Sequence, residues 1–150
     1  MKRLRTILSV AVIGLAGALQ AKVPEPDTIL YGTLRTTDGE GVPVRSNGYQ
    51  KFIVQAVVNG EVLSTNEVSS VTNTFILRIP MDDGVAPRIP GTAKSSDLVK
   101  VQVVNETEGI VVETQETQMQ NLEIKQERGY VELVDFHVNS SILGDDPKGN

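Results

Sequence analysis

The fold is decided by the stretch Lys51-Phe52-Ile53-Val54-Gln55-Ala56-Val57-Val58-Asn59-Gly60-Glu61-Val62-Leu63-Ser64-Thr65, which predicts two strands joined by a tight turn. Apolar residues alternate before the turn, and a period of two places them on one face of a strand: Phe52, Val54, Ala56 and Val58. Asn-Gly is the dipeptide that a type I′ turn favours, since both central residues of that turn have positive φ. The stretch therefore predicts an antiparallel β-hairpin with one buried face.

Other stretches repeat this extended pattern at intervals of roughly 8–12 residues. They are rich in β-branched and aromatic residues, and turns containing Gly, Pro, Asn or Asp separate them. The strands predicted outside the hairpin are 28–35, 74–79, 98–104, 110–114, 119–124 and 130–138. A helix competes with a strand only over 114–126, which is rich in Gln, Glu, Met and Leu. We therefore expect an all-β fold, an antiparallel Greek-key β-sandwich of about seven to eight strands.

The N-terminus has the order of residue types that is typical of a secretory signal peptide. A basic start precedes a charge-free, largely apolar run at 6–19, and small residues stand at its end. That run is shorter than the roughly 20 residues that a membrane-spanning helix needs. We expect residues 1–21 to be a signal peptide cleaved after Ala21, with Ala18 as the second choice, and no membrane anchor after cleavage.

The remaining chain has the size of one domain. We expect a polar, Pro-containing linker at 22–27, a β-sandwich domain at 28–139 and a flexible tail at 140–150. The signal peptide predicts that this domain is secreted or periplasmic. The chain has no cysteine, and an exported domain of this size can fold without disulfides.

Charge and composition exclude several classes of function. The formal net charge is −5, and loss of the three basic residues at the N-terminus makes it more negative still, at −8. Such a chain is a poor ligand for nucleic acid. Without cysteine there is no thiol catalysis and no cysteine-bound zinc or iron–sulfur centre. The absence of tryptophan lowers the expectation of a sugar-binding face, for which only tyrosine rings remain.

Catalytic and metal-ligating residues are sparse. His137 is the only histidine, whereas histidine-based zinc sites need two or three, and no G-x-S-x-G motif positions a nucleophile. Asp82 and Asp83 are the best calcium candidates, but Asp82-Asp83-Gly84 is more compact than a calcium-binding loop. We expect no catalytic residue, no cofactor and no bound metal.

Three motifs in chain order resemble those of carboxypeptidase-regulatory-like, or transthyretin-like, sandwich modules of exported bacterial proteins. They are Ile29-Leu30-Tyr31-Gly32-Thr33-Leu34, Gly39-Glu40-Gly41-Val42-Pro43-Val44 and Thr74-Phe75-Ile76-Leu77-Arg78-Ile79-Pro80. The resemblance implies a seven-stranded sandwich that serves as a non-catalytic accessory domain. One branch of that fold hydrolyses a purine-pathway ring with histidines, an arginine and a C-terminal Tyr-Arg-Gly-Ser. The single histidine and the different C-terminus exclude that branch here.

We therefore expect a non-enzymatic domain for protein interaction, adhesion or envelope scaffolding. The alternative is an extracellular module that binds a glycan or another ligand, and a small hydrolase comes third. The expected partner is a protein, or a component of an extracellular matrix or a glycan. An open, flat edge strand favours addition of a partner strand, and exposed aromatic rings on one sheet face favour a glycan. A cleft that joins His137 to a serine and a carboxylate favours the enzyme.

Overall fold

A computed structural model describes residues 25–95, 97–112, 121–123 and 129–143, the third range by its backbone alone. These residues form strands β1 (Glu25–Thr36), β2 (Phe52–Val58), β3 (Glu61–Glu67), β4 (Thr74–Met81), β5 (Leu98–Asn105), β6 (Ile110–Val112), β7 (Asn121–Glu123), β8 (Val131–Leu133) and β9 (Phe136–Val138), followed by a 3-10 helix (Ser140–Leu143). The all-β class predicted from the sequence is confirmed. The expected signal peptide, with Ala18 and Ala21, lies outside the described residues.

Two differences from the predicted segments concern the ends of the domain. β1 begins at Glu25, inside the expected linker, and the 3-10 helix lies inside the expected tail, with Ile142 buried. Over 114–126, the described residues Asn121–Glu123 are a strand. A search of the described residues for a helix with the length and apolarity to cross a bilayer found none.

The strands form two sheets. In the first sheet β1 lies between β4 and the pair β8 and β9, which follow one another along the same side of β1. In the second sheet the order is β3-β2-β5-β6, and β7 also pairs with β5. The β2–β3 hairpin, predicted from Asn59-Gly60, is antiparallel, as are the pairs β2–β5 and β1–β4.

The first sheet is mixed, so the prediction of a wholly antiparallel sandwich is wrong at its last strand. β8 and β9 run parallel to β1, with Tyr31 opposite Leu133 and Leu34 opposite Phe136. Alternation in the sequence reports which face of a strand is buried, but not the direction of its neighbour. A parallel neighbour must arrive by a long crossover connection, and no short-range motif records it.

The single strand predicted over 130–138 is interrupted where it passes the middle of β1. The Asp135 carboxylate accepts hydrogen bonds from the Thr33 backbone N–H (3.0 Å) and from the Thr33 hydroxyl (2.7 Å). The carbonyl of Val134 is thereby turned against Gly32, and a Cβ at Gly32 would overlap its oxygen. A side-chain oxygen thus satisfies the amide of Thr33, and only glycine fits opposite the displaced carbonyl.

The buried faces of both sheets form one hydrophobic core, as expected of a β-sandwich. The face predicted for β2 is confirmed as buried, and the Phe75 and Phe136 rings pack with centroids 5.7 Å apart. The core members are Leu30, Leu34, Val44, Phe52, Val54, Ala56, Val58, Val68, Phe75, Leu77, Ile79, Ala93, Val99, Val101, Val103, Val134, Phe136, Val138 and Ile142.

We expect Gly32→Ala to lower the free energy of unfolding by about 2 kcal/mol or more, because the added methyl group collides with fixed backbone. Gly48→Ala is the matched control, since open space surrounds Gly48 and its backbone does not require glycine. Denaturant unfolding measures both. Equal midpoints for the two variants would contradict the close approach of Val134 to β1.

The β2–β3 turn supports a second stability prediction. Asn59 has φ 52° and Gly60 has φ 85°, the two positive values that a type I′ turn requires. Gly60→Val should lower the free energy of unfolding by about 1 kcal/mol or more, because a β-branched residue disfavours positive φ. Gly60→Asn, which tolerates that region, should cost less in the same urea titration. An unchanged unfolding midpoint for Gly60→Val would contradict the assignment of a type I′ turn.

Candidate interaction surface

The outward face of the first sheet carries a block of apolar side chains. The strand register places Ile76, Tyr31 and Leu133 in one row across β4, β1 and β8. The next row holds Arg78, Ile29 and Val131. We define the apolar patch as Ile29, Tyr31, Ile76, Val131 and Leu133.

Single exposed apolar residues are ordinary, but adjacent ones across three strands are not. Apart from the half-buried Ile29, the members of the apolar patch are between 42% and 57% exposed. Polar side chains border the patch: Arg78 lies in its outer row, and Thr33 and Thr74 lie opposite one another on its other side. An apolar centre with a polar rim is typical of a surface that binds a protein.

The two edges of the first sheet are treated differently. On the β4 side, side chains of β3 accept the outward amides: Ser64 Oγ from Arg78 (3.0 Å) and Asn66 Oδ1 from Ile76 (3.0 Å). The Ser69 amide donates to the outward carbonyl of Thr74 (2.8 Å). This capped edge therefore has little backbone to offer a further strand.

On the other side, β8 and β9 form the edge, and within the described ranges no strand lies beyond them. Their bonds to β1 involve even-numbered residues: Tyr130 and Val138 accept from Ile29 and Thr37, and Val134 donates to Tyr31, each at 2.8 Å. Successive backbone groups point to opposite sides of a strand, so Val131 and Leu133 of β8 and His137 of β9, on either side of the break at 134–135, direct theirs away from the sheet. We call residues 131–138 the open edge.

Within the part of the chain that the structure describes, His137 is not hydrogen-bonded to a nucleophile or to a carboxylate. It is an exposed residue of β9 opposite Arg35, whose guanidinium donates to the Gly41 carbonyl at 2.8 Å. Among the described residues, no side chain makes a hydrogen bond or an ion pair with His137. A histidine without an acidic partner or a nucleophile at hydrogen-bond distance does not form a nucleophile–base pair.

The calcium candidates lie in the loop between β4 and β5, where Asp82 has a structural task. Asp82 is buried, and its two carboxylate oxygens accept the amides of Gly84 (3.0 Å) and Ile89 (2.7 Å). Asp83 accepts the amide of Val85 at 2.8 Å. The carboxylates of Asp82 and Asp83 therefore stabilise the loop by accepting its backbone amides. Within the described ranges, no group of three or more His, Cys, Asp or Glu residues could hold a metal ion.

Asp38 and Lys51 have shifted pKa values, and both lie on the surface. A hydrogen bond from the Ser140 side chain lowers the pKa of Asp38, which links the turn after β1 to the 3-10 helix. A hydrogen bond with Glu106 raises the pKa of Lys51, and the charges of Glu106 and Glu67 act in the same direction. The Lys51 Nζ lies 2.6 Å from Glu106 and 3.8 Å from Glu67. Exposed contacts of this kind join neighbouring turns and do not create a reactive group.

The apolar patch was not singled out from the sequence, although a signal for it exists. In Thr28-Ile29-Leu30-Tyr31 and in Phe75-Ile76-Leu77 apolar residues occupy both faces of the strand. Such a run also suits a strand that is buried on both faces, so only the structure shows that one face is exposed. Comparison of the chain with family models, curated proteins and solved structures found no match.

We expect Asp82→Ala to lower the free energy of unfolding by roughly 1–3 kcal/mol, because two amides lose their acceptor. Asp83→Ala, which removes the acceptor of an exposed hydrogen bond from Val85, is the control and should cost less. A chelator should leave the melting temperature of the wild-type chain unchanged, since a metal bound only to the folded state would stabilise it. A drop of several degrees with chelator would contradict this prediction and would make Asp82 and Asp83 the first residues to test as metal ligands.

Proposed function

We propose that this chain is an exported, non-enzymatic β-sandwich domain that binds a protein partner through the apolar patch. Export and a secreted or periplasmic location are proposed from the basic start and apolar run of the N-terminus. The Greek-key connection and membership of the carboxypeptidase-regulatory-like modules are proposed from the order of strands and motifs. The observation that supports the binding function is the exposed apolar block across three adjacent strands.

A protein partner fits the apolar patch better than a glycan does. Tyr31 supplies an exposed ring, but its neighbours across the sheet are Ile76 and Leu133. A sugar stacked on that ring would bring its hydroxyl groups against aliphatic side chains, which offer no hydrogen bond. An apolar side chain of a protein has no hydrogen bonds to lose there, and it can bury the apolar surface of the patch equally well.

The size of the apolar patch limits what it can do alone. Burial of a large aliphatic side chain contributes about 1.5–3 kcal/mol, so each half-exposed member offers on the order of 1 kcal/mol. Association itself costs an estimated 4–15 kcal/mol. The patch would therefore give specific but weak binding, and a stable complex needs a second set of contacts beside it.

Capture of partners by a tagged chain spanning residues 22–150, from the envelope and medium of the producing organism, tests this function. Ile76→Lys should reduce capture at least tenfold, because it places a charge within the apolar patch, directly opposite Tyr31. Val62→Lys is the matched control, since Val62 is similarly exposed but lies on β3 of the second sheet. Equal capture by the two variants would remove the patch from the proposal, and a captured glycan would replace the protein partner.

A further inference from the structure

We propose that the open edge takes up an extended segment of the partner protein as an additional strand of the first sheet. The geometry points to a segment with basic residues and with apolar residues at alternate positions. This inference rests on the proposed function and specifies how the partner is held.

The backbone of the open edge defines the chemistry of its occupant. Val134 donates to β1 and Tyr130 and Val138 accept from it, which directs the N–H and C=O groups of Val131, Leu133 and His137 outward. Alternating donors and acceptors at the repeat of a strand match another extended backbone. An edge of this kind therefore suits the addition of an extended peptide segment.

The β4 edge of the first sheet, unlike the open edge, is protected against pairing with a further strand. Ser64 and Asn66 occupy the outward amides of β4, which blocks pairing there. Proteins commonly protect edge strands with charges, proline, bulges or covering segments. At the open edge, by contrast, the side chains on the outer face of the sheet are Val131 and Leu133, which are apolar and exposed.

The apolar patch continues to the open edge, so one partner segment could use both. Val131 and Leu133 belong to the patch and to the edge strand at once. Side chains of an added strand that point to the outer face would lie beside them, at the cross-strand distance at which aliphatic pairs stabilise a sheet. Backbone bonds would then supply the second set of contacts that the patch needs.

Charge favours a basic partner over a second copy of this chain. Glu132 is the acid of the open edge that is not bonded to β1; it is half-buried and accepts a hydrogen bond from the Tyr130 hydroxyl at 2.8 Å. The open edge has no lysine or arginine, and the whole chain has a net charge of −5. In the two-fold antiparallel register that pairs Val131 with Leu133, each Glu132 would stand directly opposite its own copy. Like charges in that position destabilise a sheet, whereas lysine or arginine on a foreign strand would be attracted.

Amide hydrogen exchange by NMR tests strand addition directly, with a synthetic peptide in which lysine, valine, threonine and valine repeat. On binding of this peptide, exchange at the amides of Val131, Leu133 and His137 should slow at least tenfold. The amide of Val134, which already donates to β1, should be protected with and without peptide. A peptide with glutamate in place of each lysine is the matched control and should bind at least tenfold more weakly.

Leu133→Pro supplies a second measurement. It removes an outward N–H that the pairing with β1 does not use, and proline is tolerated at such a position of an edge strand. The lysine peptide should bind this variant at least tenfold more weakly than it binds Leu133→Thr, which keeps the N–H. The exchange pattern of the wild-type chain stands as a test even where the proline variant does not fold.

Three outcomes would overturn the inference, and each is separable from failure of the proposed function. Binding of the lysine peptide without slowed exchange at the odd-numbered amides would mean docking on the face of the sheet. Slow exchange at those amides without peptide, increasing with chain concentration, would identify a second copy as the occupant. No binding at about 1 mM peptide, where affinity is negligible, would reject the added strand. Loss of partner capture by Ile76→Lys would still support the apolar patch in each case.

Discussion

The first sheet depends on the close passage of the Val134 carbonyl over Gly32. β1 is the central strand of that sheet, and the chain must bring its last strand alongside β1 in the parallel direction. The passage is possible because position 32 lacks a Cβ and because Asp135 accepts the Thr33 amide that the displaced carbonyl leaves. Phe75 lies opposite Gly32 on β4, and its ring packs against Phe136 from the returning strand. Backbone approach and aromatic packing therefore position β8 and β9, and with them the open edge.

Local features of the fold were predictable because their causes are local. Asn59-Gly60 encodes its own turn, and the alternation of Phe52, Val54, Ala56 and Val58 requires only that one face be dry. The direction of β8 and β9 was not predictable, since it depends on residues about a hundred positions apart. Asp135 illustrates the difficulty: it reads as a surface acid within a strand, yet it replaces a carbonyl in the ladder of β1.

The residues of the candidate surface could not be predicted from the sequence. The sparse catalytic residues of the sequence favoured the hypothesis of a binding function, which stays a prediction. In the structure His137 has no side-chain partner among the described residues. The apolar patch depends on three strands from distant parts of the chain meeting in one register, with Tyr31 between Ile76 and Leu133. The sequence indicates that Asp82 lies in a loop but not what it does there, because the amides of Gly84 and Ile89 reach its carboxylate only in the folded loop.

The unequal edges of the first sheet also determine how far any assembly through it can extend. A sheet that is open on both sides can template its neighbour, which templates the next, and such growth leads to fibres. Here the β3 side chains Ser64 and Asn66 terminate one side, so the first sheet has room for growth in one direction only. Two copies joined through residues 131–138 would each use their one open edge of the first sheet, so such an association would close as a pair and the first sheet would not propagate it into a polymer.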